Sequence, residues 1–401
     1  MTRYGKNDAQ WTKHDMKKEW IAYLLIGLVW ISIFIVRCSR NPFSNSNSDH
    51  HFGIYFLADT TLKMKDVIEN EINMNLEGIE LQSEPWISEK DINFYDWSSH
   101  CIYLKKDKAH LIPGWSEENR YNVFPDEWAD RPFMVKANGK KCYLGYFSRV
   151  ELSKNMWIAP MLGDVGLNSM YPQDVIFIDW IWLYYDYPQN NSEVKNALLD
   201  AGLYHGGISI TFDTTDTNTL RMIENADTST ISYKFTITNQ DKDNLYIIDP
   251  DKTGSDLFHW FTNGLTFQNI ETKKIYEPRW RKHVSPASYD YWSPDWFTKI
   301  KSGHSIQRTV ILKGYPHFPT GEYLFEFRYN GQIRGMEKEV REIEDGRYWL
   351  GPTRSNILVW NFKATDDSLY VGQKTSEKYN NFLNEFLHIT PTQQESESKR
   401  R

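Results

Sequence analysis

The sequence predicts an α+β chain with an N-terminal transmembrane helix, then a small α+β domain and an antiparallel β-sandwich. Three observations support this prediction. Residues 20–36 (WIAYLLIGLVWISIFIV) carry no charge. Residues 52–205 mix strand-like and helix-like runs, and residues 206–362 alternate apolar and polar residues. The 17 positions of the apolar run lie near the lower limit of about 17–25 residues for crossing a bilayer.

The flanks of the apolar run predict on which side of the membrane the body lies. Five basic residues precede residues 20–36, and only Arg37 and Arg40 follow closely. Because basic flanks stay in the cytoplasm, residues 1–19 should be cytoplasmic and the body extracytoplasmic. No small-residue cleavage site follows the run, and Arg37 stands where a lipoprotein signal at Cys38 needs a small residue. We therefore expect a retained signal anchor in the cell membrane, with a single span.

The net charge of the chain after residue 40 argues against one class of partner, the nucleic acids. Residues 1–40 hold 7 basic and 3 acidic side chains, which leaves 39 basic and 50 acidic in the remainder. Such an acidic body argues against a nucleic-acid partner, whose phosphates require a basic face.

The three cysteines do not form a disulfide framework. Cys38 lies at the membrane edge, so Cys101 and Cys142 are the possible pair within the body. An exported location would permit a disulfide between them. The alternative is two small, buried, apolar thiols.

Residues 37–51 predict an Asn- and Ser-rich spacer, and the α+β domain follows over residues 52–205. The clearest feature of this domain is a hairpin of residues 132–137 and 141–147, because Asn138-Gly139 suits a two-residue type I′ turn. The other strands are predicted at 53–58, 91–96, 101–104 and 174–187, and the helices at 62–75 and 192–203.

The sandwich is predicted over residues 206–362, without helices between its strands. Its alternating segments are 207–214, 231–239, 245–248, 265–269, 306–312, 322–329 and 356–362. Residues 363–401 should form a C-terminal helix, marked by a helically spaced apolar stripe over residues 379–387, and a polar tail.

Residues 238–329 contain TNQDKDNLYIIDPDKTGSDLFHWFTNGLTFQN, SGHSIQRTVILKGY and PTGEYLFEFRYNG. This order resembles the immunoglobulin-like accessory sandwiches found beside deuterolysin-type peptidases. The resemblance implies an immunoglobulin-like fold. It does not imply peptidase activity, because the chain has no H-E-x-x-H motif.

Residues 81–104 (LQSEPWISEKDINFYDWSSHCIYL) continue into RPFMVKANGKKCYLGYFSRVELS. These segments resemble an uncharacterised family of bacterial exported or membrane-anchored proteins with a D-I-x-x-Y-D-W-x-x-H signature. The order of their strand-like segments and turns is also similar to that in the extracytoplasmic head of the protein-export motor SecD. That similarity implies a ferredoxin-like α+β domain and carries over no site residue.

Asp91, Asp96 and His100 form the tightest cluster of ionisable residues. An Asp–His pair could serve acid–base chemistry or bind a metal. In the structural alternative, which we favour, Asp96 caps the backbone amides of a turn two residues on.

Residues 249–254 (DPDKTG) imitate the start of a calcium loop, for which Asp249, Asp251 and Asp256 would be the ligands. The twelfth position is Trp260, where a bidentate Glu is required. We favour a turn between strands over this calcium option, and no other metal site or cofactor is predicted.

The segment 276–297 is the richest candidate for a binding surface, because it mixes aromatic and guanidinium groups. The alternative is that its aromatic residues fold back over a sheet edge. The candidate binding residues are Arg279, Trp280, Arg281, Tyr289, Tyr291, Trp292 and Trp296.

The chain has no serine-hydrolase elbow, P-loop, dinucleotide fingerprint or zinc-spaced Cys/His set. We therefore predict an anchored extracytoplasmic binding or accessory protein, with a protein or glycan partner in the cell envelope. The alternative is an envelope hydrolase with an unrecognised site at Asp91, Asp96 and His100.

Overall fold

The first nine strands that the structure describes join into one mixed sheet, in the order β2-β1-β5-β6-β7-β8-β4-β3-β9. The pairs β6–β7 and β3–β9 are parallel and the other neighbours are antiparallel. The strands are β1 (Phe52–Phe56), β2 (Ile87–Ser88), β3 (Ile92–Asp96), β4 (Cys101–Leu104), β5 (Pro132–Ala137), β6 (Lys140–Ser148), β7 (Met161–Asp164), β8 (Val175–Asp179) and β9 (Tyr204–His205).

The computed structural model describes part of the chain, and every described residue belongs to the unit His50–Arg401. The described residues are 50–63, 76–112, 126–148, 161–164, 174–179, 190–213, 220–224, 227–262, 265–278, 292–330, 342–355, 358–362 and 370–373. Among them no helix combines the length and apolarity that crossing a membrane requires. The predicted span at 20–36, the helix at 62–75 (apart from its first two residues) and the apolar stripe at 379–387 of the predicted C-terminal helix lie outside them. Residues 370–373 are described and form a strand, so the expectation that only a helix and a polar tail follow residue 362 is wrong.

Helix α1 (Ser192–Asp200) packs on the first sheet. Asn191 caps it by accepting hydrogen bonds from the backbone N–H groups of Glu193 and Val194. Its buried residues Val194, Ala197 and Leu198 follow helical spacing and join the core of strands β1 and β5. The helix was predicted to run to residue 203, and it ends at Asp200.

The predicted hairpin is confirmed. Strands β5 and β6 pair antiparallel, and Asn138 and Gly139 connect them with φ values of 48° and 79°. Both angles lie in the left-handed region that a type I′ turn requires. The nine-stranded sheet is larger than the β-α-β-β-α-β unit that the SecD similarity implies.

The remaining strands form three sheets. In the first sheet, β10 and β11 pair with one edge of β12, and β17 pairs with the other edge. The second sheet has the order β16-β13-β20-β19. The third has the order β15-β14-β18-β22-β23, and β21 also pairs with β18. Their bounds are β10 (Ile208–Thr211), β11 (Leu220–Glu224), β12 (Ser229–Asn239), β13 (Leu245–Ile248), β14 (Leu265–Asn269), β15 (Ile275–Tyr276), β16 (Phe297–Ile300), β17 (Ser305–Tyr315), β18 (Gly321–Asn330), β19 (Glu342–Ile343), β20 (Gly346–Tyr348), β21 (Pro352–Arg354), β22 (Leu358–Phe362) and β23 (Tyr370–Gln373).

These sheets share one hydrophobic core, as the alternating pattern predicts. The ring of Phe327 on β18 lies 5.3 Å from Tyr233 and 5.0 Å from Phe235, both on β12. Strands of two sheets therefore face each other across a layer of aromatic side chains. The arrangement is compatible with a β-sandwich, in which inward-facing residues of both sheets fill the core.

The expectation that no helix interrupts these strands is wrong. Helices α2 (Pro250–Thr253) and α3 (Ser255–Thr262) lie between β13 and β14. The Asp249 side chain caps α2 by accepting from the Asp251 N–H, and Pro250 occupies the first helical position. Phe258 of α3 is completely buried in the core, so tertiary packing stabilises a helix too short to persist alone.

Candidate functional site

Four buried polar residues meet where the nine-stranded sheet adjoins the other sheets. Asp96 ends β3, His205 ends β9, Asp241 lies in the turn between β12 and β13, and Arg347 lies in β20. These four residues are called the junction cluster below. They come from four separate segments of the chain, so the fold alone brings them together.

The guanidinium group of Arg347 bridges two carboxylates. Its Nη2 donates to Asp96 Oδ2 at 2.6 Å and to Asp241 Oδ2 at 2.8 Å. The side chains of Asp96 and Asp241 are 0% exposed, and that of Arg347 is 5% exposed. Because buried ions are expensive unless paired, each member of this bridge depends on the others.

The second oxygen of Asp96 organises the turn that follows β3. Asp96 Oδ1 accepts from the backbone N–H of Ser98 at 3.1 Å, from Ser98 Oγ at 2.7 Å and from the N–H of Ser99 at 3.2 Å. This is the amide-capping role that the sequence predicts for Asp96. Ser98 Oγ also accepts from the N–H of Ile208 and from Trp349 Nε1, each at 3.1 Å, so the turn is hydrogen-bonded to two further segments.

Asp241, like Asp96, has four hydrogen-bond partners. Its Oδ1 lies 3.0 Å from His205 Nδ1 and accepts from the Asp243 N–H at 3.0 Å. Its Oδ2 accepts from the Gly207 N–H at 3.2 Å in addition to Arg347. Burial raises the pKa of Asp241, but the interactions with His205 and Arg347 outweigh burial and hold that pKa well below its usual range.

Local backbone structure places these side chains. Strands β3 and β9 pair in parallel with Asp96 opposite His205. Gly207 has a φ of 67°, and a Cβ there would collide with Ser98 Oγ and Asp96 Oδ1, so this position requires glycine. The Asn239 side chain accepts from the N–H of Asp241 at 2.8 Å, which fixes the turn that presents Asp241.

Aromatic rings line one side of the junction cluster. The guanidinium carbon of Arg347 lies 4.8 Å from the centroid of the Phe94 ring, a separation that suits a cation–π interaction. The Phe94 ring lies 4.6 Å from the His205 ring and stacks on Tyr103 at 4.1 Å. The buried charges are thus packed against apolar surface.

The structure separates the three residues of the predicted acid–base site. Asp91 accepts from the N–H and Oγ of Ser88 at 3.0 and 2.7 Å, whereas Asp96 joins the junction cluster. His100 Nδ1 lies 3.1 Å from Tyr95 Oη. Among the described residues, Asp91, Asp96 and His100 do not converge on one centre.

At the candidate calcium ligands, a positively charged side chain pairs with Asp249. Arg308 Nε and Nη2 each donate to an oxygen of Asp249 at 2.6 Å. Asp251 Oδ2 lies 3.1 Å from the same Nε, and Asp256 is exposed. The positive charge that a calcium ion would bring to Asp249 is therefore supplied by Arg308.

The structure describes two of the predicted binding residues, Trp292 and Trp296. Both are partly buried against the hydrophobic core shared by the sheets of strands β10 to β23. The Trp292 ring lies edge-on to Tyr348 at 5.9 Å, as expected for aromatic residues that fold back over a sheet edge. Five of the seven fall outside the described residues: Arg279, Trp280, Arg281, Tyr289 and Tyr291.

The possible disulfide does not form. Neither Cys101 nor Cys142 takes part in a disulfide bond. Cys101 lies on β4 and Cys142 on β6, and strands β7 and β8 separate them in the sheet order. Burial raises the pKa of the Cys142 thiol to about 11, which keeps it protonated and weakly reactive at neutral pH.

No family model matches this chain, and no curated protein does either. The site is therefore interpreted from its geometry. Sequence reasoning missed His205, Asp241 and Arg347. Two signals near them were visible: the Asp241-Lys-Asp-Asn turn, and Gly206-Gly207 directly after His205.

The Asp249–Arg308 pair predicts an acid-sensitive contribution to stability. Burial raises the pKa of Asp249, but the hydrogen bonds from Arg308 outweigh it and the pKa is lowered. A lowered pKa gives stability that is present above about pH 4 and lost as pH falls further. Asp249→Asn should therefore cost about 2 kcal/mol at pH 7, and the difference from wild type should shrink below pH 4.

The measurement is urea unfolding of the full chain in detergent, from pH 3 to pH 7. Asp345→Asn is the matched control, because Asp345 pairs with Lys299 at the surface, where ion pairs contribute little. Equal effects of the two substitutions at pH 7 would contradict the role assigned to burial.

Proposed function

We propose that this chain is a membrane-anchored, extracytoplasmic binding protein of the cell envelope. Residues 20–36 provide the anchor, and residues 206–362 form a sandwich of immunoglobulin-like type. The partner is a protein, bound through the aromatic and basic segment 276–297. The body positions this segment and carries out no chemistry itself.

One observation carries the proposal. Three of the acidic residues that the sequence offers for chemistry have structural partners: Asp96 accepts from Arg347, Asp249 from Arg308, and Asp91 from Ser88. A general acid or base needs a group within hydrogen-bonding reach of a substrate. Side chains engaged in this way support rigidity, which a binding protein requires to present a surface at low entropic cost.

The segment 276–297 has the composition of a binding hot spot. Its tryptophan, tyrosine and arginine side chains are the types that contribute most to protein interfaces. Trp292 and Trp296 pack on the core at one end of the segment. On this basis the proposed contact residues are those between them and Tyr276, above all Trp280 and Arg281.

A crosslinking experiment tests the binding proposal. Cells expressing the full chain are treated with a membrane-impermeant crosslinker, and the adducts of wild type, Trp280→Ala and Arg281→Ala are compared by mass spectrometry. Loss of a hot-spot side chain should lower the yield of a specific adduct at least tenfold. Leu199→Ala is the control, because Leu199 is an exposed apolar residue on α1.

An unchanged adduct yield in both variants would contradict the role of the segment. If the adduct is lost when the wild-type sample is treated with glycan-digesting enzymes, but is retained in both variants, this result would contradict a protein partner. The two results have different causes and can be told apart by digesting the wild-type sample alone.

Topology is tested separately by adding protease to intact cells, with the outer membrane permeabilised where there is one. We expect digestion of residues 52–401 and a short membrane fragment that retains the N-terminus. A body that resists protease until the inner membrane is broken would contradict the proposed orientation. A mature chain that begins near Ser39 would contradict a retained anchor.

A further inference from the structure

We propose that His205, Asp241 and Asp243 bind one divalent transition-metal ion of the zinc class. The ion would connect the end of β9 with the turn between β12 and β13. This inference goes beyond the proposed binding function and does not depend on it.

The geometry of the three side chains suits a single small ion. One ligand atom from each lies within 4.8 Å of the others. His205 Nδ1 lies 3.0 Å from Asp241 Oδ1 and 3.6 Å from Asp243 Oδ2. Two ligands held about 2.0 Å from a tetrahedral zinc ion are separated by about 3.3 Å. The two separations from His205 therefore lie close to those that one ion would set.

The charge balance at the junction is an independent observation that points to a cation. Asp96 and Asp241 are 0% exposed, and Arg347 is the cation that bridges them. With a neutral His205, these two buried carboxylates share one guanidinium, which leaves one buried negative charge without a partner of opposite sign. Asp243 adds a third carboxylate 3.6 Å from His205, and water partly solvates it because its side chain is 46% exposed. Buried charge must be compensated locally, because its desolvation is expensive. A divalent ion with a neutral imidazole would bring three carboxylates and one guanidinium to a net charge of zero.

The surroundings of Asp241 orient it for this role. Its Oδ2 is held by the Gly207 N–H and by Arg347 Nη2, which leaves Oδ1 directed at His205. Metal-binding carboxylates and imidazoles are commonly oriented by such outer hydrogen bonds. The Asp243 side chain is 46% exposed, so an ion can enter from solvent at this side.

The ligand types decide the class of metal. Calcium and magnesium prefer sites made only of oxygen ligands. One imidazole with two carboxylates suits zinc and its transition-metal neighbours. We therefore expect Zn²⁺ to bind and Ca²⁺ not to compete at the same site.

Calorimetric titration of the full chain tests the site, after chelator treatment and in detergent, with ZnCl₂ as the probe. We expect one saturable Zn²⁺ site per chain and a higher melting temperature in its presence. Asp243→Ala should weaken Zn²⁺ affinity at least tenfold. This variant should fold, because the half-exposed Asp243 side chain is lost while its backbone N–H still bonds Asp241.

His304→Gln is the matched control for binding by surface histidines. His304 is exposed on the neighbouring turn, and its ring bonds the backbone oxygen of Ser302. Zn²⁺ binding should be unchanged in this variant. The visible spectrum of a Co²⁺ complex gives a second readout, since it reports tetrahedral coordination directly.

Equal Zn²⁺ binding by wild type and Asp243→Ala would overturn the proposal. So would the absence of a saturable site in the wild-type chain. In either case His205 and Asp241 form a hydrogen-bonded pair that needs no ion. Neither result bears on the crosslinking experiment with Trp280 and Arg281, so the two proposals fail separately.

Discussion

Replacing Arg347 by methionine should destabilise the folded body by about 3–5 kcal/mol, the cost of leaving buried charges without their partner. Asp96 and Asp241 both direct an oxygen at Arg347 Nη2, and neither side chain is exposed to water. Methionine is unbranched like the aliphatic part of arginine and retains most of its apolar contacts, so the larger part of the loss reports charge. The measurement is urea unfolding of the full chain in detergent, followed by tryptophan fluorescence.

Two further variants make this result specific. Lys299→Met removes a cation from the surface pair with Asp345 and should have a much smaller effect. Adding Asp96→Asn and Asp241→Asn to Arg347→Met should recover part of the lost stability, because the triple variant buries no unpaired ion at this bridge. No recovery in the triple variant would show that the loss has another cause than buried charge.

Much of the strand pattern could be predicted from the sequence, because the information was local. The Asn138-Gly139 turn sets the pairing of Ala137 with Lys140 through two positive φ values, and the register shifts beyond it, between Val135 and Lys136. Alternation of apolar and polar residues placed β12, whose buried residues recur at every second position towards its end. Strands of only two or three residues, such as β9 and β20, are too short to show such periodicity.

The junction cluster could not be predicted, because its contacts span the chain. Arg347 bonds Asp96 across 251 residues and Asp241 across 106. Only one half of the role of Asp96 is local: its Oδ1 caps the turn two residues on, and its Oδ2 binds Arg347. A single sequence shows the capping of the turn as an Asx turn, but it does not show the hydrogen bond from Arg347.

The same distinction between local and long-range contacts applies to Asp249, where the sequence analysis favours a turn and the structure has a helix. Asp249-Pro-Asp251 was assigned to a turn because the calcium pattern was incomplete, yet the local signals of a helix start were present: a capping Asp followed by Pro at the first helical position. Arg308, the residue that holds Asp249, lies 59 positions away. The helix could have been predicted, and the ion pair could not.

Gly207→Ala tests whether the junction depends on close backbone approach. Gly207 has a φ of 67°, and its absent Cβ leaves room for Ser98 Oγ and Asp96 Oδ1. A non-glycine residue at positive φ costs about 1 kcal/mol, and forcing a methyl group into this contact adds about 1–3 kcal/mol. Both Ser98 and Asp96 would have to move, which would also weaken the bond from Ser98 Oγ to the Ile208 N–H.

Gly303→Ala separates the cost of a positive φ from the cost of the steric contact. Gly303 has a nearly equal φ of 70°, and nothing lies within 4 Å of the position its Cβ would take. This control should lose only the backbone cost, about 1 kcal/mol. We therefore expect the urea midpoint of Gly207→Ala to fall at least twice as far as that of Gly303→Ala. Equal shifts would mean that the turn after β3 adjusts freely, and that the junction cluster is held by its charges rather than by the shape of the backbone around it.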